Sequence, residues 1–318
     1  MSILIEHELS RATPAKNTIV SVGVFDGIHM GHQTLVRRLT EQAHERDSLS
    51  TIITFKQHPS ILLAPSKTTP ALISLEERLR LLKSMSVDIV IPLTFSPELA
   101  ALGAQSFVSI LQQHLNMQGM ILGWDFALGH HREGSLETLR ELGQRLGFST
   151  EVVQPVRYHD KIVSSTAIRQ ALSAGDISTV NAMLARPFSL EGVVVGGDKR
   201  GTTLGYPTAN LSLYPQQALP ADGVYAAVAV IDRQVYQAVA FIGTRPTFDE
   251  VSRIAEIHLL DFSDNLYNHN LKVNIVEWLR EAKKFPGAQA LQAQIALDIA
   301  YVRQKLSAHC CCDNHEKS

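Results

Sequence analysis

Two histidines stand three residues apart in Gly23-Val24-Phe25-Asp26-Gly27-Ile28-His29-Met30-Gly31-His32, where an apolar run gives way to an amphipathic one. If that junction is a strand running into a helix, both imidazoles sit at a helix N-terminus. Unpaired backbone N–H groups and the helix dipole favour anions there. Gly27 and Gly31 let the backbone approach a ligand closely, and His29 and His32 would donate hydrogen bonds to a phosphate chain as charge builds on it. A second polar cluster, Val163-Ser164-Ser165-Thr166-Ala167-Ile168-Arg169, offers hydroxyls for an N-cap and a guanidinium fork for phosphate oxygens. A third stretch runs from Gly192 to Asn210 and is rich in glycine, hydroxyls and basic groups. Gly197, Lys199, Gly201, Thr203 and Gly205 suit a turn that wraps phosphates. Thr208 and Asn210 are hard oxygen ligands of the kind Mg²⁺ takes. Ordinary surface turns and a β-hairpin with a long turn would carry many of the same residues.

Some chemistries are excluded. Gly192 and Gly197 have Walker spacing, but position 198 is Asp where that phosphate loop needs Lys. The tail His309-Cys310-Cys311-Cys312-Asp313-Asn314-His315 holds metal-ligand types without the spacing of a structural zinc site. Residues 308–318 are expected to be a disordered tail.

These groups need elements to hold them. In the first half, residues 18–25, 50–55, 87–93, 117–124 and 149–154 read as strands. Between them, residues 31–46, 74–85, 104–115 and 135–146 read as helices. The second of these opens on Ser74-Leu75-Glu76-Glu77, a capping box. Strands alternating with helices imply a doubly wound parallel sheet, which binds ligands at its strand C-termini. Near Pro187 the pattern changes to closely spaced β segments at 190–195, 223–231, 235–242, 254–260 and 271–276. That spacing suggests a small antiparallel barrel, followed by a terminal helix at 288–306. The expected domains are 1–185 and 186–307.

The 318 residues suit two domains, and 45% apolar content supplies their cores. A formal net charge of −2 argues against a dedicated nucleic-acid binder. No apolar run is long enough to cross a bilayer, and Met1 to Leu9 lacks a basic-then-apolar signal pattern. All three cysteines sit together in the tail, as expected of a cytoplasmic protein. The sequence leaves the oligomeric state open.

The first two clusters, in this order and about 130 residues apart, resemble the HxGH nucleotidylyltransferase superfamily. Thr54-Phe55-Lys56-Gln57-His58-Pro59 and Gly123-Trp124-Asp125-Phe126-Ala127-Leu128-Gly129-His130-His131-Arg132-Glu133-Gly134 look like segments of bacterial FAD synthetases. Gly205-Tyr206-Pro207-Thr208-Ala209-Asn210 resembles the signature of riboflavin kinases. Asp222-Gly223-Val224-Tyr225, Gly243-Thr244-Arg245-Pro246-Thr247-Phe248, Glu256-Ile257-His258 and Arg280 with Lys284-Phe285 follow in register. Over about residues 15 to 306 the chain is thus similar to the bifunctional riboflavin kinase/FMN adenylyltransferase family.

That resemblance implies a two-step enzyme. The barrel would phosphorylate riboflavin with MgATP, and the N-terminal domain would adenylylate FMN to FAD, releasing pyrophosphate. Its substrates and products are ATP and the flavins riboflavin, FMN and FAD. It implies that His29, His32 and Arg169 are catalytic, and that Gly23, Phe25, Asp26, Gly27, Gly31, Ser164, Ser165 and Thr166 bind nucleotide. Gly197, Lys199, Gly201, Thr203 and Gly205 would bind the second nucleotide, with Thr208 and Asn210 on the metal. Phe55, His58, Pro59, Asp125, Phe126 and Arg132 would border the flavin.

This sequence departs from the family at several positions. Gln57, Leu128, Ala167, Thr202 and Phe241 replace frequent residues, and Ala282 stands where a base that deprotonates the ribityl hydroxyl is expected. Glu281 is adjacent, but adjacent strand residues face opposite ways unless a bulge turns one inward. A slow kinase, a dead kinase and a bulge that recruits Glu281 are all open. The alternative function is an FMN adenylyltransferase whose barrel only binds flavin. A flavin store, and an HxGH transferase with another acceptor, fit fewer of the motifs.

Overall fold

The computed structural model describes residues 4–66, 69–129, 133–197, 200–214, 216–232, 234–246 and 251–307. The chain forms two compact units, Met1–Ala167 and Ile168–Ser318. Arg132, Lys199 and the tail 308–318 lie outside the described residues.

In the first unit, α1 (Leu4–Leu9) precedes β1 (Thr18–Val22), α2 (Met30–Glu45), β2 (Leu49–Phe55), α3 (Ser60–Leu63), α4 (Leu75–Ser84) and β3 (Ile89–Leu93). Then come α5 (Pro97–Ala100), α6 (Ala104–Leu115), β4 (Met117–Gly123), α7 (Leu136–Leu146), β5 (Ser149–Val153) and a small hairpin, β6 (Arg157–Tyr158) with β7 (Lys161–Ile162). The five main strands pair in parallel in the order β3-β2-β1-β4-β5. The chain builds outward from β1 to β3, then crosses back to lay β4 on the other side. The switch between β1 and β4 opens a crevice beyond their C-termini. β1 is buried along its whole length because helices cover both faces, which is why it reads as a continuous apolar run. Ser74 caps α4 by accepting the Glu77 N–H at 3.1 Å. The strand expected over 18–25 ends at Val22. Phe25 takes a φ of 52°, outside the extended region, and the chain leaves the sheet.

α8 (Ser165–Ser173) begins at the end of the first unit, and α9 (Ile177–Leu184) follows in the second. The barrel strands are β8 (Phe188–Val195), β9 (Ala209–Leu213), β10 (Gly223–Ile231), β11 (Gln234–Pro246), β12 (Val251–Leu259) and β13 (Asn270–Glu281), with α10 (Arg200–Thr203) between β8 and β9. They close in the order β10-β11-β12-β9-β8-β13. β9 was not anticipated, because it lies inside the Gly- and Pro-rich segment, yet it completes the ring and removes a sheet edge. On β10 the side chains alternate. Tyr225, Ala227 and Ala229 are fully buried, while Val224 and Ala226 join Val302 and Leu306 of α11 (Ala288–Ser307) in a separate apolar cluster.

Helix α9, ahead of the barrel, packs on β13. Asn181 Nδ2 donates to the Ile275 carbonyl at 3.0 Å, and Asn181 Oδ1 accepts the Phe188 N–H at 2.7 Å. Gly175, between α8 and α9, has a φ of 74° and faces the Trp278 ring. A Cβ there would lie 2.3 Å from two ring carbons. Gly175→Ala should therefore cost about 2 kcal/mol or more, from the left-handed backbone and the overlap together. Calorimetry should show the lower unfolding temperature, and an unchanged thermogram would contradict this packing.

Candidate functional site

A cavity of about 650 Å³ lies at the C-terminal ends of the parallel strands. Gly23, Phe25 and His32 form one wall, with Phe55, His58 and Pro59 beside them and Asp125 and Phe126 opposite. The wall is shaped by the loop from β1 to α2. Phe25, Gly27 and Ile28 all take positive φ, at 52°, 84° and 41°. That conformation is unfavourable for Phe and Ile, and both are held there by burial to 2% exposure. Asp26 fixes the loop from beneath. Its buried carboxylate accepts the Leu72 N–H at 3.0 and 3.1 Å and the Ile73 N–H at 3.4 Å. Its backbone carbonyl accepts the Ser165 hydroxyl at 2.8 Å.

His29 is the N-cap of α2, and its Nδ1 accepts the His32 N–H at 3.4 Å. A neutral His29 therefore carries its proton on Nε2. The two rings stack with centroids 3.7 Å apart, and His32 lines the cavity with His29 behind it. Gly31 leaves room for the stack, since a Cβ there would lie 3.2 Å from the His29 ring.

The second unit holds its own cavity, of about 880 Å³, between the outer barrel face and α11. The strand register sets its floor. Arg280 pairs with Val224, Val224 with Phe241, Phe241 with Glu256, and Glu256 with Asn210. All five line the cavity, and Thr208 joins them. His258, two residues beyond Glu256, lines the same wall, and its Nδ1–H donates to the Pro207 carbonyl at 2.8 Å. Arg280, which also lines the cavity, pairs with buried Asp298 through two N–H groups, Nε at 3.0 Å and Nη2 at 2.7 Å.

Two family models divide the chain in the same way. An FAD synthetase model matches residues 12–167, and a riboflavin kinase model matches residues 184–306. The bifunctional riboflavin kinase/FMN adenylyltransferase of Escherichia coli (strain K12) is 36% identical over 300 residues, covering 94% of this chain and 95% of its own. Those of Pseudomonas fluorescens and Bacillus subtilis (strain 168) are 37% and 33% identical, covering 91% and 92% of this chain and 93% of each relative. The chain belongs to the bifunctional riboflavin kinase/FMN adenylyltransferase family. A crystal structure named as a macrolide-efflux protein from Streptococcus pneumoniae is also similar, with a TM-score of 0.84 and 32% identity over 92% of this chain and 96% of that one. Among the described residues no helix is long and apolar enough to cross a membrane.

In this member of the family the residues singled out by sequence are distributed unevenly. Gly23, Phe25, His32, Phe55, His58, Pro59, Asp125 and Phe126 converge on the first cavity. Asp26 lies beneath its loop. Ser164 caps the start of α8 by accepting the Ala167 N–H at 3.2 Å, and Thr166 is exposed. Arg169 is half-buried on α8. In the second unit Gly201, Thr203, Thr208 and Asn210 line the cavity. Gly197 and Gly205 shape its approach. A Cβ on Gly197 would lie 2.2 Å from the Asn210 side chain, and Gly205 turns the chain at a φ of 81°.

Glu281 is not brought to the cavity. It pairs with Gly223, which pairs with Ile242, which pairs with Ala255, and Ile242 and Ala255 point into the buried barrel interior. A register shift opposite Val224 and Tyr225 does exist, but it leaves Glu281 in that row and Ala282 at the cavity. The carboxylate that sequence reasoning passed over is Glu256. Its signal was available: Glu256 and His258 alternate with Ala255, Ile257 and Leu259, so two polar residues share the face that α11 must cover.

Burial pushes the His32 imidazolium well below the ordinary histidine range, and neighbouring His29 and Arg78 push the same way. Below pH 6.5 the unfolded chain binds a proton at His32 that the folded chain does not. Stability is therefore lost as pH falls from 6.5 toward the lowered folded value. His32→Asn should flatten that part of the stability curve, as read by urea unfolding at pH 7.0, 6.0 and 5.5. An unaltered pH slope would show that His32 is not held neutral.

Proposed function

We propose that this enzyme phosphorylates riboflavin in the barrel cavity and adenylylates FMN in the sheet cavity. The observation that carries this reading is that each family model covers one cavity with its own polar wall. Residues 1–185 are assigned to adenylyl transfer, and Ser164, Ser165, Thr166 and Arg169 are assigned to the nucleotide. Residues 186–307 are assigned to the kinase. Both steps are assigned to the cytoplasm, which suits cysteines gathered at positions 310, 311 and 312 rather than spread through the fold.

In the kinase step a ribityl hydroxyl oxygen of riboflavin bonds to the γ-phosphorus of ATP. The bond from that phosphorus to the β-phosphate oxygen breaks, and ADP leaves. The hydroxyl proton goes to a base, and that base is Glu256. It sits opposite Asn210, on the face where Thr208 and Phe241 also meet the cavity. Thr208 and Asn210 offer the hard oxygens that Mg²⁺ prefers, and they would hold it. The ion supplies charge neutralisation along the phosphate chain when bound. His258 holds the turn before Thr208 through the Pro207 carbonyl. Phe241 and Val224 give the floor an apolar surface for a flavin ring.

In the second step an FMN phosphate oxygen attacks the α-phosphorus of ATP, and pyrophosphate leaves. The nucleophile is already ionised, so positioning and charge stabilisation suffice. His32 and His29 donate toward the phosphates from the start of α2. Phe55, His58, Pro59, Asp125, Phe126 and Arg132 are assigned to the flavin.

The full chain incubated with riboflavin and MgATP should give FMN and then FAD, separated by chromatography over time. Glu256→Gln should lower FMN formation by about 10²-fold or more and leave adenylylation of supplied FMN unchanged. Glu281→Ala should keep FMN formation within about threefold, its side chain being outside the cavity. His32→Ala should show the reverse of Glu256→Gln, with FMN accumulating and little FAD formed. A kinase indifferent to Glu256→Gln but lost in Glu281→Ala would return the base to position 281.

A further inference from the structure

Neither step as described uses Arg78, yet it is a charged side chain only 4% exposed. Such burial is costly unless the guanidinium is well partnered. Arg78 lies on α4, directly behind the first cavity. Its Nη1 donates to the Val24 carbonyl at 2.9 Å, to the Phe55 carbonyl at 2.8 Å and to the Thr54 hydroxyl oxygen at 3.2 Å. The Thr54 hydroxyl in turn donates to the Val24 carbonyl at 3.0 Å.

The place of these bonds matters more than their number. β1 and β2 are paired as far as Val22 with Ile53, and the Gly23 N–H still reaches the Ile53 carbonyl at 3.0 Å. Beyond that point the strands part to make room for a ligand. Their freed carbonyls then need donors from elsewhere. Arg78 supplies them for both strands at once. Val24 and Phe55 each line the cavity. Val24 also immediately precedes Phe25, the residue of positive φ whose ring lies 5.2 Å from the His32 ring. α4 is fixed independently from its N-terminal side, where Asp26 binds the Leu72 and Ile73 amides. Arg78 is thereby a rigid strut, set one turn into an anchored helix.

We propose that Arg78 is a positioning residue for adenylyl transfer, a buried clamp that joins the parted ends of β1 and β2 and so sets Phe25, His32 and Phe55 against the reacting phosphates. This rests on the assignment of adenylyl transfer to the first cavity. A misplacement of about 1 Å costs on the order of 10²-fold in rate, so a clamp on the carbonyls of two cavity-lining residues has leverage. The same guanidinium adds a fixed positive charge behind a site for polyanions. It also disfavours the charged form of His32. The titratable groups around His32 are His29 on its own helix start, Asp26 in the loop, Arg78 on α4, and His58 and Asp125 across the cavity. Removing the Arg78 charge makes His32 easier to protonate, so neutral imidazole would be lost at a higher pH.

The test uses the full chain, with riboflavin phosphorylation as the internal control. Arg78→Met should lower kcat for adenylylation of supplied FMN by at least about 30-fold, with KM for MgATP changed less than about threefold. The acid limb of its pH profile should move to higher pH, and FMN formation from riboflavin should stay within twofold, roughly the scatter of a neutral substitution. Arg78→Lys should restore the parental acid limb and recover most of kcat. A parental kcat in Arg78→Met would overturn the proposal. So would an equal loss of both activities, or a slow Arg78→Met with an unmoved acid limb and no recovery in Arg78→Lys. Should Arg78→Met not fold, Arg78→Gln keeps two donors without the charge: its kcat falls and its acid limb rises, or the assignment fails. A parent that makes no FAD from FMN would instead refute the assignment of the cavity itself.

Discussion

A carboxylate sealed from water must find donors, and the backbone donors that Asp26 takes set the geometry around it. Those donors are the backbone N–H groups of Leu72 and Ile73, ahead of α4. By binding them Asp26 ties the loop after β1 to a different helix from the one that follows it. The loop can then hold Phe25 and Ile28 in backbone conformations neither would adopt alone. The start of α2 is placed by that loop, and the histidine stack is placed by the start of α2. The Ser165 hydroxyl reaches the Asp26 carbonyl, so the beginning of α8 is referred to the same point. The Asp26 carboxylate accepts the backbone amides of Leu72 and Ile73, so it supports the loop beside which the nucleotide is assigned.

The barrel obeys a different constraint. In a closed antiparallel sheet a single register decides which residues share a face, and one position of slip moves a side chain to the opposite side. Arg280, Val224, Phe241, Glu256 and Asn210 form one such row, and Glu281, Gly223, Ile242 and Ala255 form the next. Ala282 therefore does not remove the carboxylate that lines the cavity, because that carboxylate, Glu256, comes from β12. The loss seen along the sequence is local to β13, while the chemistry is assembled across strands.

What was legible in the sequence follows the range of the forces involved. The five parallel strands, their helices and most of the barrel were readable because periodic burial is written in consecutive residues. The end of β1 was not, since nothing in Gly23-Val24-Phe25 announces a left-handed Phe; that is imposed by Asp26 and by the buried ring. β9 was hidden by Gly205 and Pro207, which mark a turn but not the strand after it. Helix α9 was missed because Asn181 finds its partners on β8 and, far along the chain, on β13, and Met183 and Leu184 are buried by the fold. The histidine pair, the cavity aromatics and Thr208 with Asn210 could be singled out because they belong to contiguous motifs. Glu256 lay in such a motif too, but without a register nothing connected it to Asn210, 46 residues earlier in the chain.

Arg78 marks the limit of motif reading. It sits in Ser74-Leu75-Glu76-Glu77-Arg78, a stretch whose composition signals only a well-capped, solvated helix start. Neighbouring Arg80 behaves as such a residue should, half in solvent and paired with Glu77. Arg78 is turned inward by the helical period, one turn after the cap, toward carbonyls that exist only because two strands part there. A doubly wound sheet creates that demand wherever it opens a ligand crevice, since the ladder bonds must stop before the pocket begins. Something must then satisfy the last carbonyls without filling the space. A planar, permanently charged fork reaching from behind does so, and it leaves the cavity side of the wall to the substrates.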